Sequence, residues 1–454
     1  MSVNKDIFRT YDIRGIAETD LDNITVEQLG RAYGTFLPKE AKTIGIGRDI
    51  RLSSKRIRDK FVKGLLSTGK DVIDLGMIPT PILYFAVNKY ELDGGVEITG
   101  SHNPKEYNGL KILKGKDTIY GDDIKELGRI AESSQFRKGK GTYLEKNPVK
   151  DYIDDISGRV SFGEKTLYII FDAGNGTAGP IVRKLYEKLP FSFEILYEKP
   201  IGSFPNHLPD PTIPEYLDSL IKRVKKTKAD FGVGFDGDGD RIGAIDEQGN
   251  IIWGDKLLAI FAKEVLLEHP QSKIICEVKC SNGLIEFVKK NGGIPIVWKT
   301  GHSLIKAKMK EENALLAGEM SGHMFFRDKY YGFDDAIYAS LRLTQLLSKT
   351  DKKLSSLARE VPSYFATPEV RINCPDNKKF QVVKEVKNHF IKKNLPIIDV
   401  DGVRVSFTDG WGLLRASNTQ PVLVLRFEAN TEKALKRIKT TFLELLEKYS
   451  FIKL

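Results

Sequence analysis

Short apolar runs separated by amphipathic stretches dominate the first three-quarters of the chain. Strands are predicted at 43–47, 71–75 and 94–99, with helices at 55–66 and 81–90 between them. The same alternation follows at 166–171, 178–189, 191–197, 215–226 and 231–235, and again at 256–267, 273–278, 283–291, 294–298 and 336–348. Strand and helix periods that take turns in this way predict α/β units. The last stretch differs. A strand at 369–372 and a helix at 378–393 precede three strands at 403–407, 411–415 and 422–429, and an amphipathic helix at 433–448 ends the chain. Three units thus resemble each other in their alternation, while the fourth differs. Residues 135–148 are polar, carry Lys138-Gly139-Lys140-Gly141 and read as a linker. The expected division is 1–150, 151–250, 251–366 and 367–454.

A length of 454 residues agrees with several domains. Apolar content of 41% and charged content of 29% are those of a globular protein. The start lacks the apolar core of a signal peptide, and no apolar run approaches the ~20 residues of a membrane span. Cys276, Cys280 and Cys374 form no C-x-x-C pair and are expected to be free thiols in a reducing cytoplasm. The net charge of +10 is spread along the chain. Its densest cluster, 222–228, reads as a solvated helix end without a nucleic-acid-binding signature. Small phosphorylated molecules suit the charge better than nucleic acid or a membrane.

Candidate chemistry sits where apolar strands end. The strand at 94–99 delivers Ser101 into a loop, followed by His102, Asn103 and Pro104. The strand at 231–235 runs into Asp236, Asp238 and Asp240 at spacing two, so on an extended segment the three carboxylates share one side. Converging hard oxygens suit Mg²⁺. A calcium loop is disfavoured, because Arg241 stands where the turn needs glycine, although Glu247 falls at the twelfth position. A serine able to carry phosphate and a metal able to neutralise it point to phosphoryl transfer.

Three further motifs carry weaker signals. Gly174-Asn175-Gly176-Thr177-Ala178-Gly179 follows a strand, opens a helix and matches a dinucleotide fingerprint, which gives an NAD-dependent oxidoreductase as a distant alternative. Gly318-Glu319-Met320-Ser321-Gly322-His323 places a carboxylate, a hydroxyl and an imidazole between glycines, a set that suits a sugar diol. Arg415, Ser417, Asn418 and Thr419 lie between two strands and form a candidate phosphate nest.

Together these motifs resemble the α-D-phosphohexomutase family, most closely its phosphomannomutase/phosphoglucomutase branch. Residues 99–104 look like its phosphoserine loop, 236–241 its metal loop, 318–323 its sugar loop and 415–419 its phosphate loop, in family order. Segments 8–15, 47–51 and 205–210 add to the match. Met320 stands where phosphoglucosamine mutases usually have Gln, and phosphoglucosamine mutase is the nearer alternative. The resemblance implies three α/β/α-type domains with mixed sheets plus a C-terminal α+β domain of TATA-binding-protein-like fold around a central cleft. It also implies that Gly174–Gly179 is a structural turn. It implies a cytoplasmic isomerase that moves phosphate between hexose 1-phosphate and hexose 6-phosphate through Ser101 and a hexose 1,6-bisphosphate. Ser101, Lys111, His323, Arg241 and Arg14 would be catalytic, with Lys111 and His323 moving protons. Tyr11, Lys279, His302, Glu319, Ser321, Arg415, Ser417, Asn418 and Thr419 would bind substrate. Ser101, Asp236, Asp238 and Asp240 would hold the metal. Monomer and dimer are equally open. A binding module that has kept the fold is the remaining class, and it would be marked by loss of Ser101 or an aspartate; all are present.

Overall fold

The computed structural model describes residues 3–417 and 420–453. Four sheets follow one another along the chain. The first is seven-stranded and mixed, in the order Ile13–Ile16, Tyr107–Lys114, Gly94–Ile98, Thr43–Arg48, Asp71–Met77 and Tyr143–Glu145, with Asp117–Thr118 beside Tyr107–Lys114. Gly94–Ile98 lies in its middle and is buried throughout, Glu97 included. It pairs parallel with Thr43–Arg48 and antiparallel with Tyr107–Lys114. In that antiparallel register Lys111 stands opposite Glu97, which brings the lysine beside the strand that presents Ser101.

The expected linker is corrected in part. Tyr143–Glu145 is a strand, paired parallel with Asp71–Met77 at the sheet edge. The segment is polar because an edge strand facing water needs no apolar run.

The second sheet has the order Ile251–Ile252, Ile242–Asp246, Phe231–Phe235, Tyr168–Asp172 and Ser192–Leu196. The third has the order Ile294–Trp298, Lys273–Glu277, Leu316–Gly318 and Met324–Phe326. Pairing crosses the expected borders by a residue or two. Ile251–Ile252 belongs to the second sheet, Phe365–Ala366 pairs with Val422–Ala429 of the last, and helix Val149–Ser157 starts just before residue 151.

The last unit is an antiparallel sheet on which helices Asp376–Lys392 and Glu432–Leu446 pack, the expected α+β arrangement. Its core is its own, built around Phe390, Leu425, Phe427 and Phe442. By contrast, one apolar core runs without a break from helix Thr80–Lys89 of the first unit through the second and third units to Val361. The three cysteines are free and buried. Among the described residues, no helix is long and apolar enough to cross a membrane.

Candidate active site

Ser101 closes the turn after Gly94–Ile98 with φ of +49°, a left-handed backbone that a serine rarely adopts. The turn is held from beneath. The buried guanidinium of Arg51 donates to the carbonyl oxygens of Ser101, Asn103, Pro104 and Tyr107. Asp49 Oδ2 accepts from Gly100 N at 3.1 Å. Gly100 must be glycine, because a Cβ there would sit 2.5 Å from Arg51 Nε. Replacing Arg51 by Met leaves four carbonyls without their donor, and a loss of about 3 kcal/mol is expected. Urea unfolding measures it, and an unchanged midpoint would contradict this bracing.

The aspartates come together differently from expectation. Residues 236–240 form a turn, not an extended segment. Asp236 O accepts from Gly239 N at 3.3 Å, and Gly239 has φ of +72°. This fold-back gathers the three carboxylates, one oxygen of each lying within 4.8 Å of the others. All three are buried. Asp236 Oδ2 accepts from Ser101 Oγ at 2.8 Å. Asp238 Oδ2 accepts from Thr80 Oγ1 at 2.6 Å and from Lys111 Nζ at 2.6 Å. Lys111 also donates to Asp240 Oδ2.

Asp238 Oδ1 and Asp240 Oδ1 are buried without any hydrogen-bond donor. Buried carboxylate oxygens without donors need a cation. With all three ionised, the carboxylates outnumber the neighbouring cations Lys111 and Arg241, so the set fits a divalent metal ion, whose charge would keep Asp236 ionised. Burial, with Asp238 and Asp240 beside it, pushes Asp236 well above the usual carboxylate range. Burial would do the same to Asp238, but the Lys111 ammonium outweighs it and holds Asp238 low. Burial opposes the Lys111 charge, yet the surrounding carboxylates raise its pKa, so it stays an ammonium.

The sugar loop meets the metal loop through an isolated antiparallel bridge between Arg241 and His323. Arg241 Nε donates to His323 Nε2 at 2.9 Å. His323 Nδ1 lies 3.0 Å from Asp334 Oδ2, which makes the imidazole an acceptor toward Arg241. Glu319 Oε1 accepts from Gly301 N at 2.6 Å and Oε2 from Ser321 Oγ at 3.2 Å. His302 stacks on His323 with ring centres 5.7 Å apart, and Tyr11 meets His302 edge-on. Burial and then Lys306 keep His302 neutral, well below its ordinary pKa. Burial raises the Tyr11 phenol. Arg14 binds Asp12 at 2.6 Å and Asn103 Oδ1 at 3.1 Å, beside the serine turn. Lys279 pairs with Glu369 at 3.0 Å, and its pKa is raised to about 12 because Glu277 and Glu369 outweigh burial.

Ser101, Lys111, Arg14, Tyr11, Arg241, Lys279, His302, Glu319, Ser321, His323, Arg415 and Ser417 line one cavity of about 1750 Å³, to which all four units contribute. Asn418 and Thr419 lie outside the described residues. The glycine-rich turn at 174–179 braces the metal loop instead of facing the cavity. Thr177 N and Oγ1 both donate to Gly237 O, and a Cβ on Gly179 would lie 2.3 Å from Glu198 O. Glu198 is engaged by Arg183, and Glu247 accepts from Ser355 Oγ at 2.5 Å, away from the aspartates.

Sequence reasoning does not single out Thr80, Lys306, Asp334 or Asp401. Each is one polar residue whose partner lies far away in sequence. Asp334, for example, takes Lys306 Nζ at 2.8 Å.

Four family models, phosphoglucomutase/phosphomannomutase α/β/α domains I, II and III and the C-terminal domain, match residues 5–138, 150–249, 253–365 and 369–445. The chain is 44% identical over 437 residues to a phosphomannomutase/phosphoglucomutase of Pseudomonas aeruginosa, covering 96% of this chain and 94% of that one. It is 43% identical to a phosphoglucomutase of Neisseria gonorrhoeae, covering 98% of both. A crystal structure of a phosphoglucomutase/phosphomannomutase family protein from Burkholderia thailandensis superposes with a TM-score of 0.91 at 38% identity, covering 98% of each chain. With the serine turn and the sugar loop facing one cleft and the buried aspartates packed behind Ser101, these matches show that the chain belongs to the phosphoglucomutase/phosphomannomutase family of α-D-phosphohexomutases.

Proposed function

We propose that this protein interconverts hexose 1-phosphates and hexose 6-phosphates, with glucose and mannose as the sugars, through phosphorylated Ser101 and a hexose 1,6-bisphosphate intermediate. The observation that carries the reading is Ser101 Oγ, 2.8 Å from Asp236 at the floor of a cleft that also holds Glu319, Ser321 and Arg415. A serine forced into a left-handed turn next to three buried carboxylates suits a phosphoryl carrier and has no evident packing role.

In the forward step the Oγ–P bond of phosphorylated Ser101 breaks as a sugar hydroxyl bonds to phosphorus. The hydroxyl proton leaves to a base, and Ser101 Oγ takes up a proton. The bisphosphate then turns round, and the reverse transfer returns the other phosphate to Ser101. Asp236, Asp238 and Asp240, with a phosphate oxygen on Ser101, would hold Mg²⁺, which supplies Lewis-acid neutralisation of the phosphoryl charge. Lys111 is poised as donor, since two carboxylates keep it an ammonium. His323 is the candidate acceptor: its Nε2 lone pair, which takes Arg241 Nε in this structure, would receive the hydroxyl proton once Arg241 turns to the phosphate. Arg241 and Arg14 flank the serine turn and offset phosphate charge. Lys279, His302 and Tyr11 face the sugar from the third and first units, and Arg415 and Ser417 would hold the distal phosphate.

Glu319 and Ser321 are expected to grip the 3- and 4-hydroxyls, which glucose and mannose present alike. Carbon 2 is then left unread, and neither sugar leaves a buried polar group unpaired. Turnover of glucose 1-phosphate and mannose 1-phosphate is expected to agree within about tenfold in kcat/KM, under ~1.4 kcal/mol. Glu319→Gln should weaken both by a similar factor. A coupled assay on glucose, mannose and glucosamine 1-phosphates tests this. Preference for glucosamine 1-phosphate by about a thousandfold would overturn the choice of sugar.

A further inference from the structure

One carboxylate oxygen joins the third unit to the C-terminal unit at the cleft. Asp401 lies just ahead of strand Val403–Phe407. The next residue, Gly402, has φ of +83°, and a Cβ there would lie 2.3 Å from Leu414 O and 2.6 Å from Arg415 Cβ. The bend therefore sits flush against the backbone of Arg415 and sets the Asp401 carboxylate beside its side chain. Asp401 Oδ2 accepts from Arg415 Nε at 3.0 Å and forms an ion pair with the same guanidinium, 2.9 Å from Nη2. The same oxygen accepts from Thr300 N at 3.1 Å, across the boundary between the units.

Thr300 opens a loop whose other contacts lead to the sugar site. Thr300 Oγ1 donates to Glu277 Oε2 at 3.0 Å. The very next N–H, that of Gly301, donates to Glu319 Oε1 at 2.6 Å. Two consecutive peptide N–H groups are thus held by two carboxylates, one fixed to the phosphate-gripping arginine and the other expected to grip the sugar.

We infer that Asp401 is a positioning residue that aims Arg415 at the distal phosphate and couples phosphate capture to sugar capture across the boundary between the units. The inference rests on the mutase reading, in which Arg415 binds that phosphate. With its Nε edge tied to Asp401, the guanidinium keeps Nη1 and the second Nη2 hydrogen for the cleft. An untied arginine would have to be ordered by the phosphate itself. The bisphosphate intermediate must also stay bound while it turns round. A tie between the two gripping loops keeps the units together during that turn, so losing it should let the intermediate escape.

Asp401→Asn tests this, because the amide oxygen can still accept from Thr300 N while the charge facing Arg415 is gone. With glucose 1-phosphate and saturating glucose 1,6-bisphosphate, KM should rise about tenfold while kcat changes by less than about threefold. Phosphorylated enzyme given glucose 1-phosphate should release free bisphosphate about tenfold more often per turnover. Asp401→Glu, which restores the charge, should recover part of both effects. A general loss of structure would lower kcat and the melting temperature without changing how often the intermediate escapes. Unchanged KM and unchanged release would overturn the inference. A lower KM would overturn it too, since Asp401 would then merely compete with the phosphate for Arg415. Calorimetric binding of glucose 1-phosphate to both proteins separates the two readings. If the wild type binds but does not turn over, the mutase reading fails, and the change in affinity still judges Asp401.

Discussion

Ser101→Ala should lower mutase activity by about a thousandfold or more. Alanine removes the hydroxyl that sits against Asp236, yet it keeps the Arg51 anchor, since Arg51 reaches the turn only through backbone carbonyls. The variant should therefore fold like the wild type and still bind hexose phosphates. Intact-mass and phosphopeptide analysis after incubation of the wild type with glucose 1,6-bisphosphate should find phosphate on Ser101. Stoichiometric label on another residue, with none on Ser101, would refute the carrier.

Asp238→Asn should cost about a hundredfold in activity, with part of the loss recovered at high Mg²⁺. Asp238 does two jobs at once. Its Oδ2 holds Thr80 and Lys111, and its Oδ1 has no donor and is free for a metal. The amide keeps the shape but removes one of three charges. It also weakens the pair that keeps Lys111 in place, so metal affinity and proton transfer should suffer together. Titrating activity against Mg²⁺ separates them: the recoverable part belongs to the metal and the remainder to Lys111. Full wild-type activity in excess chelator would count decisively against a metal at this turn.

Much of the fold and of the site is legible in the amino-acid sequence, and for identifiable reasons. Buried strands such as Phe231–Phe235 are short apolar runs ending in glycine- or aspartate-rich turns, and such runs declare themselves; Gly94–Ile98 does so although Glu97 interrupts it. Strand Tyr107–Lys114 escapes the pattern because Asn108 and Lys111 interrupt it; both are buried, and Lys111 is turned toward the aspartates. The three aspartates stand out in the sequence, but their geometry does not. Spacing alone cannot distinguish an extended segment from a turn closed by Gly239. Tyr143–Glu145 reads as a linker because an edge strand facing water carries no apolar signal. Arg51 stands inside a recognisable motif, yet its task, holding a turn fifty residues away, leaves no local trace. Asp334 and Asp401 belong to no recognisable motif and gain meaning only from partners on other elements.

The unbroken apolar core that joins the first three units has a consequence for how this protein comes apart. Bodies that share a core cannot lose that packing separately, so the second and third units and the face of the first around helix Thr80–Lys89 are coupled in unfolding, while the other face of the first sheet packs round a separate core that includes Val26, Ile44, Phe61 and Val96. The C-terminal unit, with its own core, meets these units mainly through Arg404, Arg426, Lys279, Glu428 and Asp401 and a small apolar contact of Val278 with Trp411 and Leu413. Polar ties of this kind can be exchanged for water at little cost. The cleft therefore lies along the seam between three units joined by apolar packing and a small unit with its own core, so local opening at that seam would expose the phosphate-gripping face without disturbing the serine turn or the aspartates.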